Sequence, residues 1–222
     1  MDTATRRKWD RAARNFDLMS SKGPEWRWAP VKRRFFARMR PEGRILFLAL
    51  GTGLDIPMFR TGCNVTAIDI SPKMIERAQP RIAAYDGELT GQVMDVHEMS
   101  FADDLFDQVF TSCTFCSVPD PIEGLKALRR VLKPGGELHM FEHTGSHIFP
   151  FNLMMKALSP LVRKVGPETD RDTVANVQAA GFRVTEVENV FLDMVKAIHA
   201  VNPSPVSANR DRPEGSPQRS LP

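Results

Sequence analysis

Two short apolar runs separated by a glycine turn constrain the fold of this chain most strongly. The first, ILFLAL, leads directly into Gly51-Thr52-Gly53, and the second ends at Asp69. Apolar runs of this length bounded by glycine are typical of buried strands, and two of them around a short helical crossover form a βαβ unit. Glycine lets the backbone approach a ligand closely, and an acid ending the second strand is where ribose hydroxyls are usually bound. The pattern therefore predicts a site for a nucleoside-bearing cofactor.

Strands and helices alternate along most of the chain. The apolar runs predict strands near residues 45–50, 65–70, 90–95, 107–112, 136–142, 182–188 and 190–199. Ser71 and Asp120, each followed by proline, are predicted helix N-caps, and Pro134-Gly135-Gly136 is predicted to end the second of these helices. This alternation predicts an α/β fold, in which a mostly parallel sheet is covered by helices on both faces.

The length of 222 residues, with 42% hydrophobic and 26% charged residues, is typical of one globular domain. We predict an N-terminal helical cap over residues 1–40 and a main domain over residues 41–201. We predict that an apolar and basic segment, 147–166, forms a cap insertion in that domain. The Pro/Ser/Arg-rich residues 202–222 are predicted to be a disordered tail.

Charge and targeting signals limit which partners and which cellular compartment we predict for this chain. A net charge of +3 is too small to imply a nucleic-acid partner. No apolar run is long enough to span a membrane, no secretory signal is evident, and three cysteines do not form a disulfide framework, so we expect a cytoplasmic protein. Two basic clusters, 6–14 and 32–40, are interpreted either as solvated helix faces or as a contact with an anionic membrane surface or an acidic substrate. The sequence makes no prediction of the oligomeric state.

Four motifs occur in an order and spacing typical of one family: LFLALGTG, VTAIDISPKMIERA, QVMDVHEMSFADDLFDQVF and LRRVLKPGGEL. On these motifs, the chain from about Trp9 to Ala200 resembles the class I S-adenosylmethionine-dependent methyltransferases. The resemblance implies an enzyme with S-adenosyl-L-methionine as its cofactor. It also implies a Rossmann-like, seven-stranded, mostly parallel sheet of strand order 3-2-1-4-5-7-6, with helices on both faces.

The resemblance assigns cofactor contacts position by position. The implied cofactor-binding residues are Gly51, Thr52 and Gly53 in the loop, Asp69 at the ribose, Ile70 and Met74 at the adenine, Asp95 and Val96 at the adenine amino group, and Ser112 near the methionine portion and the acceptor. Thr111 lies beside the last of these. Two assignments have a structural alternative, because Asp69 could cap the turn into Ser71 and Asp95 could cap the turn before Glu98.

The first motif departs from the family pattern. Phe47 stands where most relatives have an acid that orients the amino-acid end of the cofactor, and Ala49 replaces the first glycine. We hypothesise that Asp55, just past the loop, compensates for the missing acid. The alternative is a cofactor-binding but catalytically weak partner or regulatory protein.

Three branches of the family compete for the acceptor. FTSCTFCSVPDP and HMFEHTG resemble enzymes that S-methylate alkyl thiols, and the glycine-turn region also resembles bacterial phospholipid N-methyltransferases acting on phosphatidylethanolamine. The opening WDRAARNFDLMS is similar to ubiquinone/menaquinone C-methyltransferases, with Phe16-Asp17 in place of a usual Tyr-Asp pair. We therefore predict a small or lipid-like acceptor, a thiol or a phosphatidylethanolamine amine, with a quinone precursor as the alternative.

His143, predicted at the carboxyl end of the fifth strand, is the candidate catalytic base, with burial at a strand end as its alternative. His147 is a weaker candidate. Cys113 and Cys116 form a C-x-x-C, but no second such pair exists, so no metal site is predicted and the two are interpreted as pocket-lining residues. The apolar stripe over 149–165 lies where substrate-specific caps occur in this fold.

Overall fold

The computed structural model describes residues 1–21, 25–145 and 171–204. Its strands are β1 (Arg44–Leu48), β2 (Asn64–Asp69), β3 (Glu88–Val93), β4 (Phe106–Ser112), β5 (Leu132–His143), β6 (Arg183–Phe191) and β7 (Val195–Val201). They form one seven-stranded sheet in the order β3-β2-β1-β4-β5-β7-β6. Strands β1 to β5 run parallel, whereas β7 pairs antiparallel with both β5 and β6. The predicted fold class and strand order are therefore confirmed.

Helices surround the parallel strands. They are α1 (Thr3–Ala12), α2 (Phe16–Ser21), α3 (Glu25–Phe36), α4 (Pro72–Ala83), α5 (Pro121–Val131) and α6 (Thr173–Ala179), with short 3-10 helices at Ala13–Asn15, Ile56–Met58 and Val96–Glu98. Both predicted N-caps are present. The Ser71 hydroxyl accepts from the Met74 N–H at 3.2 Å, and the Asp120 carboxylate accepts from the Glu123 N–H at 3.1 Å. These caps fix where α4 and α5 begin after β2 and β4.

The sheet is buried on both faces, which is why its central strands are apolar without alternation. On one face, an aromatic cluster joins α3 to the sheet through Phe35, Phe36, Phe47, Phe110 and Phe141. On the other, aliphatic residues of α5 and α6 pack against β4 and β5. The N-terminal helices therefore belong to the same packed unit as the sheet, and they extend over its carboxyl edge.

Two boundaries differ from the sequence prediction. Helix α5 ends at Val131 rather than at Pro134-Gly135-Gly136, because Leu132 already pairs with Phe106 of β4. The chain then loops out before it resumes pairing. Asn202, predicted to begin the tail, is buried, and its side-chain amide donates to the Leu132 carbonyl at 2.7 Å. Residues 205–222 and the predicted insertion at 147–166 lie outside the described residues.

The second basic cluster makes intramolecular ion pairs. Arg34 pairs with Glu188 at 3.0 Å, and Arg38 pairs with Glu186 at 2.8 Å. These contacts join the end of α3 and the residues after it to β6. They support the interpretation of this cluster as a solvated helix face. Among the helices that the structure describes, none is long and apolar enough to cross a membrane.

Candidate functional site

A cavity lies along the carboxyl ends of the parallel strands, as the sequence predicts. Its floor contains Asp95 after β3, Asp69 at the end of β2, Gly51 after β1 and Ser112 at the end of β4. Neighbouring strands are about 4.8 Å apart, so these four positions span about 14 Å along the edge. A ligand in this cavity is therefore extended across four strands, in the order set by the sheet.

The turn after β1 keeps the backbone shape of a glycine loop although its first glycine is missing. Ala49, Gly51 and Gly53 all have positive φ angles, of 59°, 58° and 81°. Ala49 is therefore strained, because a left-handed conformation costs a residue with a Cβ about 1–2 kcal/mol. At Gly51, an added Cβ would lie in the space between the turn and the Phe16 ring, 3.7 Å from its nearest atom. The missing side chain leaves room for a ligand against the backbone.

We expect Ala49→Gly to stabilise the protein by about 1 kcal/mol, because glycine adopts a positive φ without strain. Urea unfolding followed by circular dichroism measures the change. Ala127→Gly, inside α5, is the matched control and should lose about 1 kcal/mol, because glycine is unfavourable in a helix interior. Equal losses in both variants would contradict the assignment of strain to the turn.

Asp69 connects the turn after β1 to the turn after β2. One carboxylate oxygen accepts from the Gly51 N–H and the other from the Ser71 N–H, each at 2.8 Å. Burial raises the pKa of this carboxyl to about 6, since both hydrogen bonds only partly offset the lost hydration. Each oxygen keeps further lone pairs towards the cavity. Asp69 thus makes the predicted turn contact and still faces the site where ribose hydroxyls are expected.

Asp95 makes the predicted cap and also lines the cavity where the adenine amino group is expected. It caps the 3-10 helix that follows by accepting from the His97 N–H at 3.0 Å, and its second oxygen accepts from the Asp2 N–H at 2.8 Å. Burial opposes ionisation of this carboxyl, but the hydrogen bonds outweigh it and hold its pKa below the ordinary value. The other candidates for the adenine contact, Val96, Ile70 and Met74, line the same end of the cavity.

With Met74 included, seven of the nine predicted cofactor-binding residues line the cavity. Thr52 and Gly53 do not. The Thr52 hydroxyl donates to Asp17 at 2.5 Å, and a Cβ on Gly53 would lie 2.7 Å from the Ile56 side chain. These two residues shape the loop rather than face the ligand space.

His143 lies at the end of β5, as predicted, but it is not among the described residues that line the cavity. Its ring contacts Trp28 edge-on, at 5.3 Å between centroids. Burial lowers its pKa, with the nearby Lys32 charge acting in the same direction, so the neutral imidazole is favoured. A role as catalytic base stays a prediction. His147 lies outside the described residues.

The segment after β4 forms the opposite end of the cavity. The Ser112 hydroxyl is buried and has no hydrogen-bond partner among the described residues, as expected for a group that awaits a ligand. Cys113 lines the cavity and has a φ of 54°, whereas Cys116 lies behind it and donates to the Cys113 carbonyl at 3.5 Å. Burial raises the pKa of both thiols, so neither is activated as a nucleophile.

Both thiols are free, and no cluster of His, Cys, Asp or Glu in the described ranges is arranged to hold a metal ion. Thr111, predicted beside Ser112, faces away from the ligand space, because its hydroxyl donates to Glu142 at 2.6 Å. The segment after β4 therefore contributes a hydroxyl, a thiol and backbone to the cavity wall.

The N-terminal helices cover the cavity. Thr5, Trp9 and Phe16 line it from above, and the two rings contact each other edge-on at 6.2 Å between centroids. Carboxylates hold this cover to α4: Asp10 accepts from the hydroxyl of its N-cap, Ser71, at 2.6 Å, and Asp17 accepts from Arg81 at 2.9 Å. The cover makes the upper wall of the cavity apolar.

Sequence reasoning missed the buried cation of the site. Lys32, on α3, lines the cavity and donates to Asp55 at 2.9 Å, although only 3% of the residue is exposed. Its sequence position carries a signal, because it follows Trp28 by four residues and precedes Phe36 by four, which places it on the apolar face of the helix. A cation on such a face marks a buried charge that needs a partner.

These residues fit the cofactor that the sequence implies. Buried Asp69 suits a ribose diol, the space at Gly51 admits a ligand against the backbone, and the Ser112 hydroxyl has no hydrogen-bond partner among the described residues.

Comparison with known proteins agrees with this cofactor. Residues 46–140 match a family model described as a methyltransferase domain. The chain is 40% identical to the ubiquinone/menaquinone biosynthesis C-methyltransferase of Geotalea daltonii, over 53% of this chain and 51% of that protein. The match thus spans about half of that relative.

Two further relatives are matched over more of their length. The chain is 30% identical to a phosphatidylethanolamine N-methyltransferase of Cereibacter sphaeroides, over 63% of this chain and 70% of that protein. It is 28% identical to a thiol S-methyltransferase of Rattus norvegicus, over 79% and 73%. A solved phosphoethanolamine N-methyltransferase of Haemonchus contortus, in complex with phosphomonomethylethanolamine and S-adenosylhomocysteine, shares the fold, with a TM-score of 0.63 and 20% identity over 81% of this chain and 53% of that one.

Proposed function

This chain belongs to the S-adenosylmethionine-dependent methyltransferases, and we propose that it methylates an apolar or lipid-like acceptor, with a thiol as the first choice of acceptor group. When bound, S-adenosylmethionine supplies a methyl group activated by its sulfonium charge. The protein then has to hold the acceptor in line, exclude water and manage the acceptor's proton.

The observation that carries the apolar acceptor is the wall of the cavity. Trp9 and Phe16 cover it from the N-terminal helices, and Leu50 and Leu54 line it from the turn after β1. Apolar lining binds hydrocarbon, and each buried methylene contributes about 0.8 kcal/mol. Acceptors named for the relatives, which include a phospholipid, are consistent with such a wall.

Proton management supports a thiol. Among the described residues that line the cavity, the Asp55 carboxylate is paired with Lys32. The His143 imidazole lies against Trp28. Both candidate acceptor groups must lose a proton before they attack, but a cysteine-like thiol, with a pKa of about 8.5, loses it more readily than a primary ammonium, with a pKa of about 10. A site with no dedicated base among these groups is therefore better suited to a thiol.

The proposal predicts transfer of radiolabelled methyl from S-adenosylmethionine to a long-chain alkyl thiol. The rate should rise about tenfold per pH unit until the pH reaches the pKa of the thiol, because it follows the thiolate fraction. It should also increase with chain length, by up to about fourfold per methylene until the wall is filled. The Asp69→Asn variant is the control for transfer that does not depend on the cofactor site.

The same assay includes phosphatidylethanolamine vesicles and a demethylated quinone precursor. Product on the lipid alone would mean that the acceptor group is the amine and not the thiol. It would also support the membrane contact considered for the basic clusters. Product on the quinone precursor alone would favour C-methylation. Label on none of the three would overturn the proposal of an apolar acceptor.

A further inference from the structure

We propose that Lys32 and Asp55 form the subsite for the amino-acid end of S-adenosylmethionine. In this arrangement Asp55 accepts hydrogen bonds from the ammonium group, and Lys32 donates to the carboxylate. The inference rests on the cofactor site described above and not on the identity of the acceptor. It names the residues that replace the family's missing acid in this chain.

The position of the pair along the sheet edge is the first argument. Asp95 follows β3 and Asp69 ends β2, so the nucleoside half of the ligand occupies that side of the cavity. The other half must then extend towards β1 and β4. Lys32 and Asp55 line the cavity on that side, and the Lys32 ammonium lies 5.4 Å from the centre of the Phe141 ring on β5.

The burial of the pair is the second argument. The ammonium and carboxylate are 2.9 Å apart, and only 4% and 15% of the two side chains are exposed. A buried ion pair rarely adds stability over an apolar pair of similar size, because dehydrating both charges costs about as much as their attraction returns. A zwitterion is the ligand such a pair complements, since each of its charges meets an opposite one in a charge-assisted hydrogen bond.

The third argument concerns Phe47, which stands at the position where the family has its acid. Phe47 packs against Phe36 and Phe59, with ring centroids 6.0 and 4.9 Å away, and is 1% exposed. The Phe47 side chain is therefore buried in the aromatic cluster beneath the turn. A carboxylate reaches the cavity from the far side of the turn instead, at Asp55, and Lys32 fixes its orientation.

Titration calorimetry with two ligands tests the assignment on the full chain. S-adenosylhomocysteine carries the amino-acid end, whereas 5′-methylthioadenosine keeps the nucleoside thioether and lacks that end. We expect Lys32→Met and Asp55→Asn each to weaken S-adenosylhomocysteine binding by about tenfold to hundredfold, the range for one charge-assisted hydrogen bond. Binding of 5′-methylthioadenosine should stay within about twofold in both variants. Lys126→Met, which breaks the exposed pair with Glu123, is the matched control and should change neither affinity.

The double variant with Lys32→Met and Asp55→Asn separates recognition from folding, because it removes both charges together. Its thermal unfolding should match the wild type more closely than that of Lys32→Met alone, which leaves the carboxylate without its cation. Unchanged S-adenosylhomocysteine affinity in the single variants would overturn the inference, as would equal losses for both ligands. A wild-type chain that binds neither ligand would overturn the cofactor site itself, and the inference with it.

Discussion

Asp69→Asn is expected to weaken S-adenosylmethionine binding at least about hundredfold at neutral pH, the largest effect on affinity that we predict. The carboxylate is buried, and its two oxygens are oriented by the Gly51 and Ser71 amides. An asparagine side chain has one oxygen and one NH₂ group, so it can accept from only one of these amides and offers one acceptor to a ribose diol instead of two. Both the shape of the site and its charge are lost.

Titration calorimetry measures this loss, and Asp86→Asn is the matched control. Asp86 is an exposed aspartate in the turn before β3, so its variant should bind the cofactor with unchanged affinity. A dissociation constant for Asp69→Asn within about threefold of the wild type would contradict the assignment of the ribose site.

The raised pKa of Asp69 gives this prediction a pH dependence. Binding requires the ionised carboxylate, so affinity should be full above about pH 6 and fall by up to tenfold per pH unit below it. The contribution of the same group to folding has the opposite sign. Its folded pKa lies above its unfolded value, so protonation is favoured in the folded state, and this contribution to stability increases as the pH falls from 6 towards 4. If the affinity falls at low pH while the stability of the fold does not, the loss of binding comes from protonation of Asp69 and not from acid unfolding.

The fold could be predicted because its signals are local. Each parallel strand is a short apolar run, each following helix begins at a cap, and the carboxyl ends of such strands meet at one edge. For the same reason Asp69, Asp95 and Ser112 could be assigned to one cavity from sequence, since each follows directly from the end of its strand. The family resemblance supplied the order of the strands.

The rest of the site depends on contacts between distant segments. Lys32 meets Asp55 across 23 positions, and the Thr114 amide meets Glu142 across 28. No local pattern specifies such pairs, and the sequence gives only the weaker hint of a cation on an apolar helix face. His143 shows the opposite limit: its place at a strand end could be predicted, but the packing of its ring on Trp28 could not.

Glu142→Ala is expected to cost about 4 kcal/mol of unfolding free energy, the largest loss of stability that we predict, because it leaves buried donors without an acceptor. The carboxylate is fully buried at the end of β5. It accepts from the Thr111 hydroxyl at 2.6 Å and from the Thr114 and Phe115 amides at 2.8 and 3.0 Å. These bonds hold the segment that places Ser112 in the cavity, so the variant should also lose cofactor affinity.

Glu142→Gln separates the hydrogen bonds from the charge. Its amide oxygen can accept from both N–H groups while its NH₂ group donates to the Thr111 hydroxyl, so it should lose only about 1 kcal/mol near pH 5. Burial raises the pKa of Glu142 to about 7, above its unfolded value, so the wild type loses stability as the pH rises and this group ionises. Between about pH 5 and pH 8 the difference should therefore shift by about 2 kcal/mol in favour of glutamine. Urea unfolding at both pH values measures it, and a difference that does not change with pH would mean that Glu142 ionises in the folded protein as readily as in water.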